Sequence, residues 1–87
     1  IAVTRTGTTV TLLIDGVVNN TGTFNITDLN NTSPLQIGRD ACADMPWGEY
    51  FEGSIDEVSI WNTARSASDI LAQKDCSLMG NESGLVA

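Results

Sequence analysis

The chain has 87 residues, 41% of them apolar, which is the composition of a folded domain rather than of a disordered segment. Its formal net charge is −7 and its four basic residues are scattered, which argues against binding to nucleic acid or to anionic membranes. It contains no histidine, the commonest general base and transition-metal ligand, and no apolar run approaches the ~20 residues of a membrane span.

The first part of the chain predicts an antiparallel meander of three strands. Residues 1–6 and 9–14 are rich in β-branched and aliphatic side chains and predict two strands joined by a turn. Asp15-Gly16 comes next and favours a type I′ hairpin turn, because both central positions of that turn need a positive φ angle. Residues 17–24 then pair back as the third strand.

The second strand indicates how the sheet is buried. Val10, Leu12 and Ile14 alternate along it and share one face. Leu13 lies between them on the opposite face, so that both faces are partly apolar. This pattern is expected of a strand in a β-sandwich.

Loops and shorter elements follow in the rest of the chain. Residues 25–33 are polar and rich in turn formers, and they predict a loop. Residues 35–38 predict a short strand and residues 39–50 a second long loop. A strand is expected over residues 51–62, and the helical stretch of the chain over residues 63–74.

The strand expected over residues 51–62 changes phase in its middle. Apolar residues occupy one register up to position 55 and the opposite register from position 58. A bulge or bend near Asp56 and Glu57 would bring both sets to one face and re-aim two carboxylates. The alternative is a bend that only follows the curvature of a sandwich.

The helical stretch carries its own start signal. Ser66 and Asp69 have the spacing of a capping box, in which a serine and an acidic side chain three positions later satisfy free N–H groups reciprocally. Ile70 and Leu71 would then dock the helix on the edge of the sandwich.

Residues 51–70, FEGSIDEVSIWNTARSASDI, resemble nearly letter for letter the closing motif of the LamG-like jelly rolls, the laminin G-like, pentraxin-like and concanavalin A-like domains. Residues 10–16 (VTLLIDG) resemble the hairpin of that family, and residues 35–39 (LQIGR) resemble its L-x-I-G strand. Residues 84–87 (GLVA) look like the beginning of the strand that opens or closes such domains.

The resemblance implies an all-β fold, an antiparallel jelly-roll β-sandwich with one short C-terminal helix. Both ends of the chain fall inside predicted strands. We therefore expect residues 1–87 to be the C-terminal part of one such domain, about half of it, with residues 84–87 starting a truncated further strand. The remaining strands would come from another segment or another chain.

The resemblance also implies a non-catalytic, extracellular recognition module that binds carbohydrate in adhesion. Asn/Thr-rich domains of this kind look most like bacterial surface proteins, so we expect an extracellular or cell-surface location. Trp47 and Tyr50 could present a stacking face to a sugar, with Asp44 beside them as a polar contact. The alternative for Trp47 is that it caps the end of the sandwich.

A structural calcium ion is expected at Asp56, because related jelly rolls often place a calcium ligand at this position of the closing strand. Calcium takes about six to eight oxygen ligands, so Asp56 needs partners from the strands that complete the domain. Asp40 and Asp44 are further oxygen donors. The alternative is that Asp56 only accepts backbone hydrogen bonds at the bend.

Two cysteines, Cys42 and Cys76, suggest one disulfide in a small extracellular domain. The alternatives are two free thiols, or pairing with cysteines in the remaining half of the domain.

No catalytic pattern is present in the sequence. Related jelly-roll glycanases carry a Glu-x-Asp-x-x-Glu strand, and the acidic residues between positions 49 and 57 do not reproduce that spacing. We therefore expect no enzymatic activity. Two other functions stay open: a protein–protein or spacer module of a surface protein or fibre, and an accessory domain of a glycan-degrading enzyme.

Overall fold

The computed structural model describes residues 1–25, 30–39 and 50–87. In these ranges it contains three β-strands and one α-helix. The chain divides into two compact units, one formed by Ile1–Asp28 with Ser59–Ala87 and the other by Leu29–Val58. Within the described residues, no helix has the length and apolar character that crossing a membrane would require.

The three strands form the predicted meander. β1 (Ala2–Thr6), β2 (Thr9–Ile14) and β3 (Val17–Thr23) are antiparallel and lie in the order β1-β2-β3. Asp15 and Gly16 join β2 to β3 with φ angles of 52° and 76°, both positive as a type I′ turn requires. The hairpin signal in the sequence is confirmed.

The register of the strands defines two faces of the sheet. Leu13 of β2 pairs with Ala2 and Val18, and it is the buried hydrophobic residue of the described chain, with 2% of its surface exposed. Six threonines continue this face in two cross-strand rows: Thr4, Thr11 and Thr21, then Thr6, Thr9 and Thr23.

The opposite face carries the alternating apolar set of β2 and its cross-strand partners. Val10 and Leu12 are half-buried, whereas Ile14 is exposed. The paired residues Val3 and Val17 are exposed as well, Val3 by 65%. The face that the sequence assigns to the core is therefore apolar but open.

A β-bulge interrupts the pairing of β2 with β3. Leu12 pairs with Asn20 and Leu13 pairs with Val18, so Asn19 is an extra residue on β3. One extra residue bends the strand and locally increases its twist.

The helix α1 spans Ala67–Gln73, inside the predicted stretch of residues 63–74. It begins directly after Ser66, whose Oγ accepts a hydrogen bond from the N–H of Asp69 at 3.1 Å. This is the serine half of the predicted capping box. Within the described residues, the carboxylate of Asp69 makes no reciprocal bond to the Ser66 N–H. A cap at Ser66 explains why the helix starts four residues later than predicted.

The helix contacts the hairpin turn through Leu71. A side-chain carbon added at Gly16 would lie 2.6 Å from the Cβ of Leu71 and 2.7 Å from its Cα. Glycine is favoured at position 16 for two reasons: its φ angle is positive, and Leu71 occupies the space that a side chain would need. Ile70 is half-buried. The sequence correctly assigned Leu71 to the contact between helix and sheet.

The strands predicted over residues 35–38 and 51–62 are absent from the described residues, and those two predictions are wrong. The backbone leaves the extended region at Gly38, Gly53 and Glu57, where φ is 73°, 151° and 52°. Each such residue interrupts regular pairing. Isolated bridges remain at the ends of these segments, between Arg39 and Tyr50 and between Trp61 and Leu85.

Replacing Gly16 by alanine should lower the free energy of unfolding by more than the same change at Gly7. Gly7 also has a positive φ angle, 59°, but an added carbon there meets nothing within 4 Å. Both substitutions carry the left-handed penalty of ~1–2 kcal/mol, and only Gly16→Ala also pushes against Leu71, at an additional cost of ~1–3 kcal/mol. Urea unfolding of the two variants, in the polypeptide that carries this chain, measures the difference. Equal losses of unfolding free energy in the two variants would contradict this, because they would mean that α1 shifts to accommodate the added methyl group at no measurable cost.

Candidate functional site

A short backbone junction joins the chain on either side of residues 40–49. Arg39 and Tyr50 form an antiparallel bridge, and the N–H of Phe51 donates to the carbonyl of Gly38 at 2.9 Å. Gly38 adopts a φ of 73°, which glycine tolerates without strain. The junction fixes the positions of the two residues that flank the predicted ligand-binding loop.

The side chains of Arg39 and Tyr50 stack on each other. The guanidinium carbon lies 5.7 Å from the centroid of the Tyr50 ring, within the ~6 Å range of a cation–π contact. Both residues are exposed, and Tyr50 exposes 64% of its surface. The pair offers an aromatic face, a phenolic hydroxyl and the planar donors of a guanidinium on one exposed surface.

Two apolar side chains lie next to this junction. A carbon added at Gly38 would be 3.6 Å from Cδ1 of Ile55 and 4.0 Å from Cβ of Phe51. Phe51 and Ile55 are both exposed. An arginine, a tyrosine and two apolar side chains therefore meet around Gly38 without being buried.

The other predicted ligand and cysteine positions lie outside the described residues. These are Asp40, Cys42, Asp44 and Trp47. Cys76 is described as an exposed free cysteine, and its predicted partner Cys42 is not among the described residues, so the disulfide stays a prediction. Tyr50 is the predicted ligand contact that the structure describes.

Asp56 lies at the backbone irregularity that the sequence predicts. Its Oδ1 accepts a hydrogen bond from the N–H of Glu57 at 2.8 Å, and Glu57 has a φ of 52°. The carboxylate is exposed. Accepting a backbone hydrogen bond is the alternative role considered for this residue, and it leaves further lone pairs free for a cation. Among the described residues, no three acidic or cysteine side chains come together in a group that could hold a metal.

A second side-chain pair stabilises the segment before the helix. The guanidinium carbon of Arg65 lies 4.2 Å from the centroid of the Trp61 ring, and Trp61 Nε1 donates to Ser59 Oγ at 3.0 Å. Trp61 is half-buried, and it bridges Leu85 through the backbone. The Nε of Arg65 is buried with no acceptor in the described part of the chain. The sequence pattern does not reveal the role of Arg65, four residues after Trp61.

A carboxylate organises the turn before the last segment. Glu82 accepts from the N–H of Met79 at 2.6 Å and from the N–H of Gly80 at 2.9 Å. The bond from Met79, and after it the N–H of Glu82 itself, lowers the pKa of this carboxyl from its ordinary value of 4.5. Nothing in the sequence pattern marked this turn beyond its Gly-Asn pair.

An antiparallel sheet with one short capped helix is consistent with part of an all-β sandwich. Residues 1–71 match the family model Laminin_G_3, the concanavalin A-like lectin/glucanases superfamily, and the chain belongs to this family. No curated protein and no solved structure matches the chain. The LamG-like resemblance and the predicted fold class, a partial all-β jelly roll with one short helix, are confirmed.

The Glu82 turn should make stability depend on acid pH. Because its folded-state pKa is lowered, the carboxylate stabilises the fold fully above its unfolded-state pKa, and this contribution is lost as pH falls through the folded-state pKa. The free energy of unfolding should therefore fall below about pH 4.5, the ordinary value for a glutamate. The free energy of unfolding of Glu82→Gln, measured by urea titration at several pH values between 6 and 3, should fall less steeply with decreasing pH. Parallel profiles for the two proteins would contradict this assignment.

Proposed function

We propose that this chain is part of a non-catalytic recognition module of a secreted or cell-surface protein, of bacterial type, and that it binds carbohydrate in adhesion. Membership in a superfamily described by its lectins and glucanases supports this class of ligand. The single observation that carries the proposal is the exposed ring of Tyr50 under the guanidinium of Arg39.

The Tyr50 surface has the chemistry that sugar recognition needs. An exposed aromatic ring offers a flat apolar face, against which the C–H side of a sugar ring can stack, and its hydroxyl remains available for hydrogen bonding. The guanidinium of Arg39 adds several fixed donors for sugar hydroxyls or ring oxygens. Asp44 and Trp47, the other predicted ligand contacts, lie between Arg39 and Tyr50 in the sequence.

Removing the Tyr50 ring should weaken glycan binding more than removing only its hydroxyl. Loss of an aromatic contact of ~0.5–1.5 kcal/mol corresponds to about two- to tenfold weaker binding. The complete domain and its Tyr50→Ala and Tyr50→Phe variants would be compared on a glycan array, followed by titration calorimetry with a sugar that binds. Tyr50→Phe is the matched control, because it keeps the ring and its stacking face.

Two outcomes would contradict the glycan proposal. Binding that survives in Tyr50→Ala would place the ligand elsewhere. A complete domain that binds no sugar on the array would instead favour a protein–protein or spacer module of a surface fibre.

Calcium binding at Asp56 is a second part of the proposal. The carboxylate lies at an exposed turn and uses Oδ1 for the N–H of Glu57, which leaves lone pairs for a hard cation. The other oxygen ligands would come from backbone carbonyls, from Asp40 or Asp44, and from strands that complete the domain. The ion would hold this turn in place.

Calcium should raise the melting temperature of the complete domain, and the shift should depend on Asp56. A ligand that binds only the folded state adds ~2.7 kcal/mol at 100-fold saturation. Melting in calcium and in EGTA would be compared for the natural protein, Asp56→Ala and Asp56→Asn. The asparagine keeps an acceptor for the Glu57 N–H but removes the charge, so it separates metal binding from the local turn. Identical melts in calcium and EGTA would remove the metal from the proposal.

The open apolar face of the sheet is an argument that a further layer of the domain covers it. Val3, Ile14 and Val17 are exposed on the same side as the half-buried Val10 and Leu12. Covering apolar surface is worth ~25 cal/mol for each Å² removed from water. We infer that the remaining strands of the same jelly roll, from another segment or chain, cover this face.

Absence of catalysis is also part of the proposal. The accessory-domain alternative predicts that the whole protein degrades a glycan through residues outside positions 1–87. Assays of the complete protein on the sugars found by the array would test it, since product formation would make the module part of an enzyme.

A further inference from the structure

The segment Gly84–Ala87 lies along residues 60–62 and is hydrogen-bonded to their backbone. The N–H of Ile60 donates to the carbonyl of Ala87 at 2.7 Å, and the N–H of Val86 donates to the carbonyl of Ile60 at 2.7 Å. The N–H of Asn62 donates to the carbonyl of Gly84 at 2.8 Å.

The binding position formed by residues 60–62, here called the seat, restricts which segment can bind there. Gly84 has a φ of 87°, and a carbon added there would lie 2.7 Å from Oγ1 of Thr63 and 3.2 Å from Oδ1 of Asn62. The first position of any segment bound here therefore strongly favours glycine. The second position, Leu85, is half-buried in its bridge to Trp61. A segment of the type Gly-Leu-Val-Ala fits, and the chain itself supplies one.

The same segment is loosely tethered by side chains. Val86 exposes 62% of its surface, so the segment buries little apolar area of its own. Residues 74–81 connect it to the helix and are exposed throughout. Segments held by a few backbone bonds and little burial open at low free-energy cost.

We propose that two copies of the chain exchange their Gly84–Ala87 segments reciprocally, each copy seating the segment of the other on its residues 60–62. Every bond at the seat is the same in the closed monomer and in the exchanged dimer, which is why such exchange is a low-cost route to a dimer. A two-fold arrangement closes after two copies and leaves no free seat.

The turn around Glu82 decides between the two forms. In the monomer the chain reverses there, and the carboxylate accepts the N–H groups of Met79 and Gly80. In the exchanged dimer the connection runs across to the partner copy, and this reversal is opened. The hydrogen bonds of Glu82 are therefore the interactions that favour the monomer specifically.

Weakening the turn should shift the chain toward the dimer. Glu82→Ala removes the acceptor from both copies and should raise the dimer association constant about tenfold or more, since hydrogen bonds to charged groups are each worth more than neutral ones. Light scattering coupled to size-exclusion chromatography, over a range of concentrations of the polypeptide that carries this chain, measures the shift. Asp75→Ala is the matched control: it removes an acid from the same connection, one that pairs with Lys74 outside the turn.

A second substitution tests whether the dimer uses the seat. Val86→Pro removes the N–H that donates to Ile60, so Glu82→Ala combined with Val86→Pro should be monomeric. Gly84→Ala offers an independent route to the same result, because its side chain would meet Thr63. Circular dichroism of each variant checks that the chain stays folded.

Two results would overturn the exchange. The first is a Glu82→Ala protein no more dimeric than Asp75→Ala. The second is a Glu82→Ala dimer that persists after either seat-breaking substitution, which would assign the association to another surface, such as the open apolar face of the sheet.

Discussion

Leu71 rests directly on the backbone of Gly16, and this contact attaches the helix to the sheet. It is possible only because the hairpin turn has no side chain at that position and adopts a positive φ angle. A two-residue turn near the start of the sequence thus contacts a helix near its end.

Burial contributes little elsewhere in the described residues. Leu13 is their buried hydrophobic residue, and larger apolar side chains such as Val3 and Phe51 are exposed. Local polar interactions determine part of the structure instead. The Ser66 cap starts the helix, a hydrogen bond between Asp56 and Glu57 shapes a bend, and Glu82 stabilises a turn. The hydrophobic contribution that a sandwich normally draws from two facing sheets is what the remaining strands would add.

How far the sequence predicts the fold depends on whether the determining interactions are local. The alternation of β2, the Asp15-Gly16 turn and the cap at Ser66 are all encoded within a few residues, and all were predicted correctly. The strands expected over residues 35–38 and 51–62 needed partners in register, and positive φ angles at Gly38 and Glu57 interrupt them. The phase change near Asp56 did mark the irregularity, although not its cause.

The candidate site also combines features that local sequence indicates with contacts that depend on residues distant in the sequence. The ligand contact at Tyr50 follows from its position in the predicted loop and its aromatic character, and it stays a prediction. Its pairing with Arg39 was not predicted, because cross-strand partners depend on a register that composition does not reveal. Arg65 was missed although it follows Trp61 at a spacing of four, since that spacing brings side chains together only where the backbone turns.

The bulge at Asn19 has a consequence for solubility. Among the described residues, β3 is an edge strand without a charged residue and is rich in β-branched and amide side chains. Such an edge is a ready template for pairing with foreign strands. One extra residue in its middle breaks the regular spacing of its outward N–H and C=O groups. A straight strand from another molecule would therefore match only part of this edge at a time, which disfavours fibrillar stacking along it.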